Sequence, residues 1–423
     1  MKVTYTHHIP YRHLPEDFAN RYKESVVTNP YFELVDPKLV HQDIRSALDE
    51  AMYAARAGFD AVAMNEHGQS SYDMNPNPDL GAAALAYATE AEGIEVGIYS
   101  VGRSLGKSRE PLRVAEELAW IDCLSGGRLI AGFPVGLAYD ANINAGIPPI
   151  ETRARYDENF EFILRAWTAR EPFAFNGRFS QYPAVNLWPR PMQQVHPPVS
   201  VTGTGNPNTT RFALERDLGF NLIVVNGPPN AAQQIFDETW RMADELDADD
   251  NPHRAAFAQT IVVGETDAEA ERLYAEHIEY SMSRGIGHIP MNRLALPGGI
   301  SPQGLRVLLG RTMSAPPAKQ GPPTYRELVD SGAVIAGSPA TVRERIADSA
   351  RSLRFGHLLA SLQVGSMPTE LVRHNIDLFT GEVLPQLRGI WSEYEADNRW
   401  WPERLGGSPV SSKQADPAGA RLK

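Results

Sequence analysis

Short apolar runs alternate with amphipathic stretches of helical length along most of this 423-residue chain. Eight runs have the length and composition of buried strands, namely Lys2–Thr6, Asp60–Asn65, Glu95–Val101, Leu129–Phe133, Val199–Thr202, Asn221–Asn226, Ala255–Val263 and His357–Val364. The helical patterns between and after them are Pro37–Ala57, Leu80–Glu92, Pro111–Leu124, Thr152–Ala169, Thr209–Leu218, Ala231–Leu246, Asp267–Arg284, Pro339–Leu353 and Thr369–Leu387. This alternation predicts an α/β fold, a closed parallel (β/α)8 TIM barrel, because the competing open doubly wound sheet usually has fewer units.

Two stretches interrupt the alternation. Residues 171–198, after the fourth helix, are rich in proline, aromatic residues and amides, and residues 285–323, after the seventh strand, are rich in Gly, Pro, Arg and Met. Long irregular segments in compact domains are commonly lids or binding loops, so we expect both insertions to position substrate and exclude water. We predict a single domain over residues 1–405 and a tail, 406–423, whose low hydrophobicity indicates disorder.

The composition narrows the classes of partner. Hydrophobic residues make up 42% of the chain, the net charge is −12, and no basic run is present, so nucleic acid and anionic membranes are not expected partners. Cys123 is the single cysteine, which excludes an intrachain disulfide and a cysteine metal cluster. The chain shows neither an apolar signal segment nor a run of eighteen apolar residues, and we therefore expect a cytoplasmic protein.

The active site of a parallel barrel is built from the loops at the carboxyl ends of its strands. That rule selects the polar or glycine-rich strand ends, which are Asn65-Glu66-His67-Gly68, Tyr99-Ser100, Gly132–Gly136, Gly203-Thr204-Gly205-Asn206, Asn226 and Gln363. Glycines and hydroxyls before a helix that contains Thr209 would suit a phosphate, because backbone N–H groups and the helix dipole favour an anion there.

Several of these motifs occur together, in order, over about residues 40–385. They are Asn65-Glu66-His67, Pro111-x-Arg113-x-Ala115-Glu116, Asp122-x-x-Ser125-x-Gly127-Arg128, Gly132-x-x-x-Gly136, Gly203-Thr204-Gly205 and Ala336-Gly337-Ser338-Pro339-x-x-Val342. In this set the chain resembles the bacterial luciferase-like flavin-dependent monooxygenase family.

The resemblance implies roles for individual residues. His67, with Glu66, is implied as catalytic beside the reactive face of the flavin, where a histidine can exchange protons near neutral pH. Asn65 is implied as cofactor-binding. Tyr99 and Ser100 match the position of a non-prolyl cis peptide that lies against the flavin ring. The phosphate is implied at the strand-five turn, which comprises Gly203, Thr204, Gly205, Asn206 and Thr209.

The chain also departs from the family pattern. Val135 occupies the position at which the luciferases carry a phosphate-binding arginine. The phosphate would then have to be bound by the strand-five turn, by Arg128 or by Arg190. Of these, Arg128 is expected instead to bond loop carbonyls below the site. Gly68 replaces the second histidine of the luciferase pair, which argues against light emission.

Three histidines, His7, His8 and His13, follow the first strand closely. Their spacing on a strand and loop does not converge on one face, so we predict no metal site but expect one of them to line the substrate pocket. Further candidates for that lining, for which core packing is an equal explanation, are Phe175, Tyr182, Trp188 and Asn226.

The resemblance implies a two-component monooxygenase that uses reduced FMN (FMNH2), supplied by a separate flavin reductase, and O2 to oxygenate a medium-sized organic substrate. The helices after strands two and three are apolar enough to pair in a homodimer. Two alternatives stay open: a deazaflavin (F420)-dependent oxidoreductase on the same barrel, and a non-catalytic barrel that only binds flavin or another ligand.

Overall fold

Eight parallel strands form a closed ring in the computed structural model, which describes residues 1–223, 231–296 and 321–415. All its strands, in chain order, are β1 (Lys2–Thr6), β2 (Ala61–Met64), β3 (Gly97–Ser100), β4 (Leu129–Gly132), β5 (Phe173–Asn176), β6 (Gln181–Val185), β7 (Val199–Gly203), β8 (Gly219–Ile223), β9 (Ala255–Val263), β10 (Val334–Gly337) and β11 (His357–Ser361). The ring runs β1-β2-β3-β4-β7-β8-β9-β11, and β11 closes it by pairing with β1. The predicted (β/α)8 barrel is confirmed.

Nine of the ten helices that the structure describes around the ring begin within two residues of their predicted starts. The eighth, Tyr325–Asp330, was not predicted, and the last ends at Leu378 rather than at Leu387. These helices are α1 (Pro37–Ala57), α2 (Pro78–Ala91), α3 (Pro111–Leu124), α4 (Thr152–Thr168), α5 (Pro207–Glu215), α6 (Ala231–Glu245), α7 (Asp267–Arg284), α8 (Tyr325–Asp330), α9 (Pro339–Leu353) and α10 (Thr369–Leu378). Single helical turns also occur at Phe18–Arg21, Tyr31–Leu34, Met291–Leu294, Leu384–Leu387 and Ser412–Ala415. Asp36 caps α1 by accepting from Lys38 N–H, and Gly58 ends it at φ +100°, a conformation that favours glycine.

The insertion at 171–198 lies at the amino end of the barrel, away from the strand ends that carry the site. It forms the antiparallel hairpin β5–β6 against Phe162 of α4, and Gln193 Nε2 then donates to the carbonyl of Leu129, the first residue of β4. A segment between a helix and the next strand necessarily returns to that amino end. The expectation that this insertion covers the site is therefore wrong.

The second insertion does reach the carboxyl end of the barrel in its described part. Ser25, in the loop after β1, donates its hydroxyl to the carbonyl of Gly285 and its N–H to the carbonyl of His288. Arg293 pairs with Glu24 at 2.6 Å. Residues 297–320 of the predicted insertion lie outside the described residues. The short strand β10, which pairs with the end of β9, follows them and was not predicted.

The carboxyl-terminal segment closes the amino end of the barrel. Trp401 is buried among inward-facing strand residues and contacts the His357 ring edge-on, with centroids 5.1 Å apart. Beyond it, Gln414 is buried and donates to the carbonyl of Asp217. The expectation of disorder from Gly406 therefore does not hold for residues 406–415, and 416–423 lie outside the described part. No helix in the described residues is long and apolar enough to span a bilayer.

Candidate active site at the carboxyl rim

The loops at the carboxyl ends of the barrel strands form one end of the molecule, here called the rim. At the rim, the side chain of His67 is anchored by a carboxylate from a different loop. Its Nδ1 lies 2.9 Å from Asp140 Oδ2, while the other oxygen of Asp140 accepts the Gly68 N–H at 3.0 Å. Asp140 is almost fully buried, and the His67 side chain is 17% exposed. The two contacts fix the imidazole on its Nδ1 side and leave Nε2 for another partner.

Asp140 lies in a π-helical turn, Tyr139–Asn144, within the loop after β4. Such turns insert one extra residue and often occur at functional sites. Here the turn presents adjacent side chains to His67, because the Tyr139 hydroxyl also lies 3.0 Å from Nδ1. Tyr139 in turn shares a hydrogen bond with the Tyr72 hydroxyl. His67 is thus the end of a buried chain of hydroxyl groups.

Asp140 determines the charge preference of His67. Burial opposes protonation of the ring, but the charge of Asp140 and its hydrogen bond outweigh burial and raise the pKa of His67 above its ordinary value. In the same pair, burial is again outweighed, and the nearby imidazole lowers the pKa of Asp140. The pair therefore stabilises the charged forms of both partners, an imidazolium beside a carboxylate.

Two further polar side chains face the same side of the rim. The His8 ring stacks on the His67 ring with centroids 5.7 Å apart. Asp73 accepts at Oδ1 from the N–H groups of Ile9 and Asn75, whereas its buried Oδ2 has no hydrogen-bond partner among the described residues. Burial raises the pKa of Asp73 to about 6 and lowers the pKa of His8 to about 3.

Glu66 is held within the protein. Its Oε2 accepts the Ser104 N–H at 2.8 Å, and its Oε1 lies 3.1 Å from the ammonium of Lys107. Both oxygens are therefore engaged by the loop after β3. These contacts show how Glu66 is held beside His67, and its catalytic role together with His67 stays a prediction.

Tyr99 and Ser100 do not form the predicted cis peptide. The non-prolyl cis bond among the described residues is Gln194–Val195, in the insertion at the amino end. Tyr99 points into the barrel, where its hydroxyl bonds Ser200 and Asn221, and Ser100 points outward to Asp79 of α2. Regular strand pairing through β3 keeps both residues extended, so that their side chains lie on opposite faces.

The predicted phosphate turn follows β7 at the same rim. Gly205 adopts φ +81°, and Asn206 caps α5 by accepting from the Asn208 N–H. Arg153, from the first turn of α4, donates to the Thr209 hydroxyl at 3.4 Å. A cation therefore lies beside this turn, although no sequence motif singles out Arg153.

Neither of the two arginines considered as replacements is at the rim. Arg128 is fully buried and donates to the carbonyls of Ser125, Ile94 and Val96, as expected for a structural residue. Arg190 donates to the carbonyls of Trp167 and Ala169 at the end of α4.

Two glycines of the fourth-strand motif allow the rim loops to approach closely. A Cβ on Gly132 would lie 2.5 Å from the carbonyl oxygen of Ser100, and Gly136 adopts φ +106° against Ser104. Val135, which occupies the position of the family arginine, is half-buried, and its backbone carbonyl accepts a hydrogen bond from the Ser104 hydroxyl. The motif thus packs the β3 and β4 loops together.

An apolar wall borders His67. It combines Val26, Tyr72 and Tyr139 with Ile286 and Ile289 of the second insertion. The predicted pocket residues Phe175 and Tyr182 instead pack on α4 in the hairpin, and Trp188 is 80% exposed at the amino end. Asn226, also predicted there, lies outside the described residues.

The three amino-terminal histidines diverge, as predicted. His7 is buried against the carbonyl of Ala47, and His13 lies 3.3 Å from Asp43, whereas His8 alone faces the rim. Sequence reasoning missed Asp140, Tyr139, Asp73 and Arg153 as members of this site. One signal was available for Asp140, because it follows the fourth-strand glycine motif in a loop that must lie on the rim.

Comparison with known proteins identifies relatives. A family model described as luciferase-like monooxygenase matches residues 24–355. Limonene 1,2-monooxygenase of Rhodococcus erythropolis is 24% identical over 356 residues, which cover 83% of this chain and 82% of that protein. The oxygenase component of the flavin-dependent trigonelline monooxygenase of Acinetobacter baylyi is 30% identical over 165 residues, or 38% of this chain and 43% of that protein.

Solved structures share the barrel. The oxygenating constituent of 3,6-diketocamphane monooxygenase from Pseudomonas putida, in complex with FMN, has a TM-score of 0.65 at 22% identity and covers 82% of this chain and 93% of that one. An F420-dependent secondary alcohol dehydrogenase has a TM-score of 0.59 at 16% identity, with coverage of 92% and 99%. At these identities the likeness establishes the fold alone.

Proposed function

Because this chain belongs to the luciferase-like monooxygenase family, we propose that it is the oxygenase component of a two-component flavin monooxygenase. A separate reductase would supply reduced FMN, and O2 would be the second substrate. The observation that carries the proposal is the His67–Asp140 pair, which lies at the same end of the barrel as the Gly203–Thr209 turn.

The rim offers complementary positions for the two ends of FMN. β2 and β7 are three strand spacings apart around the ring, a distance on the order of 14 Å at about 4.8 Å per spacing. Asn65 has a buried Oδ1 without a partner among the described residues, which suits an N–H donor of the flavin ring. The glycine turn and Arg153 suit the phosphate.

Reduced FMN, when bound, supplies the electrons that activate O2. The chain's own contribution is to hold a proton on His67 and to present it at Nε2, because Asp140 fixes the opposite nitrogen. Lys107 keeps Glu66 in place beside the pair. The apolar wall, which Ile286 and Ile289 complete, excludes water and fits a medium-sized, partly apolar organic substrate.

A cofactor-binding experiment tests the proposal. Anaerobic titration should show tighter binding of reduced FMN than of reduced F420, and Arg153→Gln should weaken FMN binding about tenfold, or ~1.4 kcal/mol. Arg155→Gln is the matched control, because Arg155 occupies the same helix but pairs with Glu151. Tighter binding of F420 would favour the hydride-transferring alternative, since an F420-dependent dehydrogenase shares this fold.

A turnover experiment separates an enzyme from a binding protein. With a generic flavin reductase and NADH, the rate at which air oxidises the protein-bound reduced flavin should change in His67→Gln. Unchanged oxidation in this variant, together with normal FMN binding, would support a barrel that only binds its ligand.

We also propose a homodimer through the outer faces of α2 and α3. Leu80 and Tyr87 of α2 are 65% and 67% exposed, and Trp120 of α3 is 51% exposed. Large exposed apolar patches mark interaction sites, and these three side chains come from two neighbouring helices. Light scattering during size exclusion should give twice the chain mass, and Tyr87→Glu should shift it towards the monomer.

A further inference from the structure

The rim holds three side chains that can bind a metal ion, and they come from two loops. His8 follows β1, while His67 and Asp73 follow β2. One ligand atom from each lies within 4.8 Å of the other two. We propose that these residues form a binding site for a divalent first-row transition ion, for which Zn2+ is the probe.

The three side chains are prepared for this role in different ways. Asp73 has a buried Oδ2 without a hydrogen-bond partner among the described residues, so an ion there would satisfy an otherwise unpaired carboxylate oxygen. His67 has its Nδ1 on Asp140, the arrangement by which metal-bound histidines are oriented in proteins. The His8 ring makes ring contacts but no hydrogen bond within the described part of the chain, so nothing polar has to be broken when it turns.

The donor set selects the class of ion. Two imidazole nitrogens and one carboxylate oxygen suit Zn2+, Fe2+, Co2+ or Ni2+ and disfavour Ca2+ and Mg2+, which prefer oxygen ligands. Bonds of about 2.0–2.1 Å to a common ion hold the ligand atoms no more than about 4 Å apart, so any pair near the 4.8 Å limit would have to move closer. Asp73 and Asp140 together supply two negative charges against the two positive charges of the ion.

Three protein ligands leave coordination positions open at the rim, so the ion would exchange with solvent. An ion on Nε2 of His67 would also displace the proton held there. This consequence rests on the proposed function: Zn2+ should inhibit the monooxygenase reversibly, and a chelator should restore it. The binding itself is independent of flavin and is measured without it.

The test uses the full chain, stripped of metal by a chelator, without flavin. Zn2+ competition against a chromophoric chelator should give one site per chain, and bound Co2+ should give visible d–d absorption. Asp73→Asn and His8→Gln should each weaken Zn2+ binding at least tenfold. His13→Gln, a nearby histidine outside the cluster, should bind as the unaltered chain does.

Thermal melts verify that each variant is folded, and His8→Gln carries the test if Asp73→Asn does not fold. The proposal is overturned by absence of one-to-one binding, by unchanged affinity in His8→Gln, or by an equal loss in His13→Gln. Because no cofactor takes part, these outcomes leave the flavin proposal untouched, and failure of FMN to bind would leave the metal site untouched.

Discussion

At the scale of single residues, the site depends on how one imidazole is held. Nδ1 of His67 contacts both Asp140 and Tyr139, so rotation of the ring would break two polar contacts in a largely buried position. A general acid or base works only while its reactive nitrogen stays aligned and its pKa stays near the working pH. Asp140 serves both requirements at once.

Replacement of Asp140 by Asn should therefore separate position from charge. The amide still bonds His67, but the attraction that raises the pKa of His67 is lost, so this pKa should fall. We expect turnover to fall on the order of 10²-fold, with little change in FMN affinity. NMR titration of the imidazole and coupled turnover assays provide the measurements. An unchanged pKa of His67 in Asp140→Asn would contradict the assignment.

His67 could be predicted because it directly follows a strand in a family motif. The loop of Asp140 could be placed on the same rim, because it follows the fourth-strand glycine motif. Its contact with His67 could not be predicted, since the two residues are 73 apart in sequence and the π-helical turn brings Asp140 to His67. Asp73 was not predicted for the same reason, and His8 is one of three histidines of which one is expected to line the pocket, with no signal to choose among them. The neighbours of Asp73 and His8 in sequence point elsewhere, and their proximity arises from the packing of separate loops.

At the scale of elements, a buried ion pair fixes the loop after β1 to α1. Arg12 donates to both oxygens of Glu50, at 3.0 and 2.9 Å, and also to the carbonyl of Met367 near α10. The Glu50 side chain is fully buried. The same loop carries His8 into the rim, so the ion pair helps to keep the site in place.

Breaking this pair should be costly, because it leaves a buried charge without its partner. We expect Glu50→Ala to lower the free energy of unfolding by about 3–5 kcal/mol, while the double variant Arg12→Met/Glu50→Leu should stay much closer to the unaltered chain. Urea denaturation measures both. The exposed pair Arg56–Glu92 is the control, where Glu92→Ala should cost far less than Glu50→Ala. Equal costs for the two single variants would refute the argument.

The elements themselves were predictable where hydrophobic periodicity is strong, as in α1 and α6. The 171–198 insertion was misplaced because its proline and aromatic content was interpreted as a binding loop without regard to direction. It connects the end of α4 with the start of β7, so it had to lie at the amino end of the barrel.

At the scale of the whole molecule, the carboxyl-terminal segment forms the floor of the barrel. Lys2 and His357, the first residues of their strands, both contact the Trp401 ring. Its last part, from Gly406, is predicted to be disordered because its composition is polar, and composition does not reveal that Gln414 is buried by the barrel.

Removal of the Trp401 side chain should destabilise the barrel. Trp401→Ala leaves a cavity among inward-facing strand residues and should cost about 3–5 kcal/mol. Trp188→Ala, at a tryptophan that is 80% exposed, should cost far less. Chemical denaturation of both variants provides the comparison. A similar cost for the two would show that Trp401 does not support the floor.

A buried histidine at the floor of the barrel, His253, should make the stability of the protein depend on pH. His253 is fully buried beside His357, and burial lowers the pKa of His253 to about 4. The unfolded chain binds a proton at this residue below about pH 6.5, whereas the folded chain does not until about pH 4. His253 should therefore remove about 1.4 kcal/mol of stability for each unit by which the pH falls through that window.

Asp73 and Asp79 act in the opposite direction. Burial raises the pKa of each to about 6, so below that pH the folded chain binds protons that the unfolded chain does not. The slope of the unfolding free energy against pH is the sum of these opposing contributions. Comparison of a variant with the unaltered chain isolates the contribution of one residue. Between pH 6.5 and 4, His253→Gln should lose less stability than the unaltered chain, whereas replacement of the exposed His41 by Gln should leave the slope unchanged. Parallel curves for His253→Gln and the unaltered chain would show that this buried imidazole does not drive acid unfolding.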